Sequence, residues 1–201
     1  MKYIWCCILL NWILLPISFG QQIQSGYYGD GLYIAYDSSK QALSGYYENY
    51  TGWDESLKAP RFSCIFFIEA HLNQSIVKIN TYYPEDRFSS PNIEGQLEIV
   101  SPNSLLISLK EEHGGCWNVE HFTDAPVKFI LSEGANWKAI KYVTKDKAFF
   151  YRHASERSKE KAYLIKNNFF CIYKVYGNWA YGCYNGEHTK TGWLKRSDLN
   201  P

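Results

Sequence analysis

Apolar and polar residues alternate with a period near two through most of this chain, in short runs broken by Gly, Pro, Asn, Asp and Ser. Successive side chains of an extended strand point to opposite faces, so such alternation marks half-buried β-strands. Residues 32–36 predict a strand, 37–40 a turn and 42–48 the return strand, followed by a polar loop over 49–60. The apolar run 62–72 and its partner 75–83 flank an Asn73-Gln74 turn, and the two prolines and two serines of 84–92 predict a loop. Ile93, Gly95, Leu97 and Ile99 alternate through 93–100, Pro102-Asn103 turns the chain into 105–111, and Val127, Phe129 and Leu131 define a last strand over 127–131. No segment after residue 20 carries a helical period. The expected fold class is all-β, opening with an antiparallel meander β-barrel of seven or so strands over 21–136, since closure removes sheet edges.

The chain's beginning reads differently. Lys2 precedes an apolar run over 4–17, and Ser18-Phe19-Gly20 places small residues where a signal peptidase inspects them. Residues 1–20 are thus expected to be a secretory signal. The protein would be exported, periplasmic or secreted, with no membrane span, because the run is too short to cross a bilayer. Four cysteines follow the signal, and an even number in an exported chain favours disulfides. The 17 Tyr, 11 Phe and 7 Trp suit pleated surfaces.

The formal net charge of +1 hides a split. Residues 21–136 hold 15 acidic and 7 basic side chains, whereas 137–201 hold 5 acidic and 13 basic ones. This divides the chain into an acidic domain over 21–136 and a basic one over 137–201, with residues 132–136 as linker. A basic domain is drawn to anionic polymers, and two oppositely charged domains also attract each other; charge alone does not separate these readings.

In the basic part Lys161-Ala162-Tyr163-Leu164-Ile165-Lys166 and Phe170-Cys171-Ile172-Tyr173-Lys174-Val175-Tyr176 read as strands. Gly177-Asn178, Trp179-Ala180-Tyr181-Gly182-Cys183 and Thr191-Gly192-Trp193-Leu194 follow. Short strands, tight turns, a Trp on the return strand and a Gly-Trp-hydrophobe step resemble the bacterial Src-homology-3-like domain. The resemblance covers about a third of the chain. It implies a small barrel over 137–201, opened by a strand pair within 138–151 and a charged loop over 152–160. It also implies a bacterial source and a module that binds cell-wall material or peptides without catalysing a reaction. The sequence departs from the family at Phe149-Phe150-Tyr151-Arg152-His153-Ala154, where members often carry an Asn-Val-Arg-Ser-Gly-Pro-like run. The acidic part resembles the lipocalin-like (calycin) barrels in architecture only.

Candidate ligand contacts are Tyr163, Tyr173, Trp179, Tyr181, Tyr184 and Trp193, which either line a groove or build the small core, with Arg157, Lys159 and Lys161 in and beside the charged loop. With Tyr176-Gly177-Asn178 as hairpin turn, Val175 faces Trp179, Tyr173 faces Tyr181 and Cys171 faces Cys183. Opposed cysteines suit a disulfide, so Cys171–Cys183 is the expected bridge, and Cys64 and Cys116, which remain, would then pair within the acidic part. Cys116 with His113 is the one candidate for thiol catalysis, and Glu111, Glu112, His113 and His121 hold metal-ligating atoms without a recognised metal spacing. No catalytic residue, metal or cofactor is expected. The expected function is a non-catalytic exported binding protein whose partner is a cell-envelope polymer or an exported protein, with no nucleic acid. The alternative is a periplasmic inhibitor or immunity protein against a wall-active enzyme or toxin.

Overall fold

A computed structural model describes residues 23–84, 92–186 and 188–201. The expected signal segment, residues 1–20, and most of the expected 84–92 loop lie outside the described residues. The chain forms fifteen β-strands and three short 3-10 turns, without an α-helix among the described residues.

Nine strands build one antiparallel sheet. In chain order they are β1 (Gly26–Tyr27), β2 (Leu32–Asp37), β3 (Ala42–Asp54), β4 (Ala59–His71), β5 (Ile76–Tyr82), β6 (Ile93–Ser101), β7 (Ser104–Leu109), β8 (Val127–Ile130) and β9 (Glu133–Gly134). The strand order is β8-β7-β6-β5-β4-β3-β2-β1-β9, the expected meander with β9 added. The sheet curls into a half-barrel, not the closed or nearly closed barrel expected. Its two edges are successive pieces of one stretch: β8 pairs with β7, and β9 pairs with β1. The expected linker therefore contains a strand.

The expected polar loop over 49–60 is also a strand pair. Here β3 and β4 continue as a two-stranded arm in register from Glu48↔Ile65 to Asp54↔Ala59. Neither neighbour follows, since β2 pairs β3 only up to Tyr47 and β5 pairs β4 only from Phe67 onward. With no core beneath it, the arm needs no apolar alternation, which is why the pattern misled there. The Cys64–Cys116 disulfide fixes the loop over 110–126 to its base, as expected. Thr51 Oγ1 donates 2.7 Å to the Asn118 carbonyl beside it.

The concave face of the half-barrel is the larger core, built from Leu32, Ile34, Tyr47, Phe66, Ile68, Leu97, Ile107 and Phe129 among others. Each is an alternate residue of its strand, and each is removed from water.

The remaining strands form a six-stranded sheet: β10 (Ala139–Tyr142), β11 (Lys147–Tyr151), β12 (Lys159–Ile165), β13 (Phe169–Tyr176), β14 (Trp179–Asn185) and β15 (Thr189–Lys195). Their order is β10-β13-β14-β15-β11-β12. The expected first strand pair within 138–151 is not a hairpin, because β10 pairs with β13 while β11 lies between β15 and β12. Phe150, Leu164, Phe170, Ala180 and Leu194 form a core on one face.

The two sheets pack on each other. Ala35, Tyr46, Phe67 and Tyr82 from the convex side of the first meet Ile140, Tyr142, Phe169 and Trp137 from the second part in one buried cluster. Tyr46 stacks on Phe169 with ring centroids 4.4 Å apart, and such ring pairs add about 0.5–1.5 kcal/mol beyond area burial. Two serines complete the contact: Ser44 Oγ accepts from Ile140 N at 2.8 Å, and Ser25 Oγ donates 2.9 Å to the Trp137 carbonyl.

Candidate binding face

The β13–β14 hairpin departs from the expected register in an instructive way. Its turn is Gly177-Asn178, so Tyr176 pairs with Trp179 and Val175 with Ala180. Tyr173 is then taken up in a β-bulge, and beyond it Cys171 faces Cys183 as expected. The bulge absorbs the residue that the shorter turn leaves over. It also places Lys174, in place of Tyr173, opposite Tyr181.

Cross-strand partners share a face of the sheet. Following the pairs outward gives a row that crosses five strands: Lys174 opposite Tyr181, Tyr181 opposite Trp193, Trp193 opposite Tyr151, and Tyr151 opposite Lys159. Strands lie about 4.8 Å apart, so the row spans roughly 19 Å. Cations stand at both ends; of the rings between, Tyr181 and Trp193 are half-buried and Tyr151 is buried beneath the row. The Tyr181 and Trp193 rings are 5.2 Å apart. Lys174 Nζ lies 5.5 Å from the first and 5.7 Å from the second. Lys159 Nζ sits 3.5 Å above the Phe149 ring. In the adjoining row Trp179 faces both Tyr176 and Lys195. Lys195 is held 2.6 Å from Glu156, and that pairing lowers the Glu156 pKa and raises that of Lys195.

A groove of 1210 Å³ opens beside these rows, between the β2–β3 turn and the second sheet. Six cationic side chains line it, Lys40, Lys138, Lys141, Lys174, Lys195 and Arg196, against two side-chain carboxylates, Asp37 and Glu156, and Lys141 donates to a Pro201 oxygen on the same wall. Both carboxylates are engaged by cations of the groove itself, Asp37 by Lys40 at 3.6 Å and Glu156 by Lys195.

The sequence candidates divide into three places. Tyr173, Trp179, Tyr181 and Trp193 share the β13–β15 face. Tyr163, Lys159 and Lys161 belong to edge strand β12, with Arg157 in the 3-10 turn before it. There Tyr163 lies under Lys147 at 4.7 Å and beside Phe149 at 5.6 Å. Tyr184 packs on Phe169 at 5.3 Å, and both it and Tyr173 pack in part against the cluster between the sheets. Lys174, Lys195 and the groove lysines were missed. The bulge hid the first, and Lys40 comes from the acidic part, where a charge count by halves does not look.

The cysteine–histidine candidate does not assemble. Cys116 is bonded to Cys64. The His113 ring stacks on Phe66 at 4.9 Å and its Nε2 lies 2.7 Å from Thr81 Oγ1. Glu112 accepts from the Thr123 amide and hydroxyl, and His121 lies 3.8 Å from Asp124. Among the described residues no three His, Cys, Asp or Glu side chains cluster as metal ligands. None of their helices is long and apolar enough to cross a membrane.

The expected Cys171–Cys183 bridge is not closed either. Both are free thiols, buried at 0% and 1% exposure against the cluster between the sheets. The pair sits beside the bulge, where the strand's twist is altered. Tyr173 Oη lies 3.4 Å from Cys183 Sγ. The hydrogen bond from Cys171 draws the Cys183 pKa down to about 7, with Tyr173 and Trp137 acting in the same direction against burial. Burial pushes Cys171 well up.

Compared with known protein families, with curated proteins and with solved structures, the chain matches none.

Proposed function

We propose that this is an exported, non-catalytic binding protein of a bacterial cell envelope. Its six-stranded part serves as a Src-homology-3-like module that holds an extended anionic wall polymer. The observation that supports this reading best is the row Lys174–Tyr181–Trp193–Tyr151–Lys159 beside a groove with six cations and two carboxylates. Sugar rings pack on Tyr and Trp through their apolar faces. Flanking lysines attract phosphate or carboxylate groups along the polymer. A row lying across the strands fits a linear ligand better than a compact one.

The test is binding of the full chain to purified anionic wall polymer at rising salt. Affinity is expected to fall steeply with ionic strength, because charges beyond about 8 Å are screened at 0.15 M. Trp193→Ala is expected to weaken binding at least tenfold at every salt concentration. Lys174→Gln together with Lys138→Gln should flatten the salt dependence. Binding that ignores both salt and these substitutions contradicts the proposal.

One observation favours the second reading, an inhibitor or immunity protein. The arm and the loop beside it expose Trp53 (61%), Leu57 (73%) and Trp117 (61%) in the acidic part. Exposed rings in an acidic surround suit a cationic protein partner. A one-to-one complex with a wall-active enzyme, lost on Trp53→Ala and Trp117→Ala, would support that reading over the first.

A further inference from the structure

The buried thiols are the feature that polymer binding leaves unused. Cys171 and Cys183 stand opposite each other on β13 and β14 as buried free thiols, and the Tyr173 hydroxyl lies 3.4 Å from the Cys183 sulfur. The Trp137 indole N–H is buried in the same cluster without a hydrogen-bond partner, a costly state for a donor. Cys171, Tyr173 and Trp137, all donors, favour charge on the Cys183 sulfur against its burial. The surroundings are otherwise apolar. The titratable groups facing the pair are Tyr173 on β13, Glu133 on β9, and Tyr33 on β2 behind Cys171. Of these Glu133 opposes the thiolate, and the three donors outweigh it.

From this arrangement we infer that Cys171 and Cys183 are a reversible thiol–disulfide exchange site for a low-molecular-weight disulfide, with Cys183 attacking and Cys171 resolving. The Cys183 thiolate attacks one sulfur of R–S–S–R, forms a mixed disulfide and expels one R–S⁻. Cys171 gives its proton to that leaving thiolate, attacks the Cys183 sulfur and expels the second R–S⁻. The protein loses two electrons and the small disulfide becomes two thiols. Tyr173 covers the Cys183 sulfur, and its place in a bulge supplies the local opening through which the disulfide enters. Closing the bridge removes the anion that the Tyr173 hydroxyl faces. The Tyr173 ring lies 6.1 Å from Tyr181, a member of the aromatic row, so the redox state of the pair reaches the binding face through that contact.

The test equilibrates the full chain, Cys64–Cys116 intact, with graded ratios of reduced to oxidised glutathione, then alkylates free thiols and maps the peptides. The Cys171–Cys183 bridge is expected to appear as oxidised glutathione rises and to reopen when reduced glutathione is restored, without denaturant. Cys171→Ala should stop at glutathione on Cys183. Tyr173→Phe should move half-maximal alkylation of Cys183 to higher pH, a change that a packing role alone would not make. On the unsubstituted chain that midpoint is expected at about pH 7. Three results overturn the inference: thiols that stay alkylatable under excess oxidised glutathione, a bridge that reduced glutathione does not reopen in the folded chain, or a Cys183 midpoint at the ordinary value near 9.

Discussion

Single residues decide whether the acidic part can hold its loop. Gly115 sits at φ +87, and a Cβ there would come 2.1 Å from the Ser63 carbonyl oxygen, next to the strand cysteine Cys64. Both the backbone region and the space exclude a side chain. The bridge beside it spans a sequence separation of 52 residues, which on loop-entropy grounds contributes roughly 4 kcal/mol. Cys64→Ala with Cys116→Ala is therefore expected to lower unfolding free energy by about 3–5 kcal/mol in urea titrations. Gly115→Ala should cost about 1–3 kcal/mol through strain while leaving the bridge mappable. A glycine doublet before a cysteine signals a turn in the sequence, but nothing in the pattern announces that Ser63 is the neighbour that forbids a Cβ.

At the scale of elements, the contact between sheets is the joint on which both halves depend. Phe169 touches Tyr33 and Tyr46 at 4.9 and 4.4 Å, so it ties β13 to β2 and β3 at once. Phe169→Ala is expected to destabilise the chain by about 3–5 kcal/mol. If the halves unfold together, calorimetry of the unsubstituted chain shows one transition; Phe169→Ala should split it into two. Much of this architecture was legible. The meander from residue 32 to 131 could be read because β5–β8 bury one face and wet the other, and the runs of β2–β4, covered on both sides, are apolar enough to stand out. The arm over 49–60 could not, because none of its residues is buried, and periodicity reports burial, not extension. The basic part gave up its Cys171↔Cys183 register but not Lys174↔Tyr181, since a bulge shifts pairing by one residue without changing composition. Most of the aromatic candidates reached one face for the reason that drew attention to them, alternation along β13–β15. Tyr184 did not, because alternation along β14 sets it on the side of Ala180 and Leu194, away from Tyr181.

For the molecule as a whole, tyrosine makes alkali the vulnerable side. Burial raises Tyr28, Tyr46, Tyr47 and Tyr50 above the ordinary 10.0, and Glu48, which accepts from the Tyr46 and Tyr50 hydroxyls, adds to the rise at those two. A group whose folded pKa is raised keeps its full contribution below the unfolded pKa and loses it as pH climbs towards the folded value. Stability should therefore begin to fall above pH 10 and keep falling, visible as a lower melting temperature at pH 11 than at pH 9. Replacing Glu48 by Gln removes the charge that opposes the phenolates, so this decline should become shallower. The stretch that carries β8 and then β9 has its own consequence, for time instead of strength. Every other pairing in the half-barrel joins neighbours in the chain, but Gly26 meets Gly134 across almost the entire first part. Loop closure over that length is the most expensive single entropic step in forming the sheet, and it becomes affordable only once the intervening hairpins have drawn the ends together. The meander can therefore zip from its local turns at any point, while the joining of first strand to last waits until the rest has formed. On a ribosome, β1 stays unpaired on that side until residue 134 has emerged.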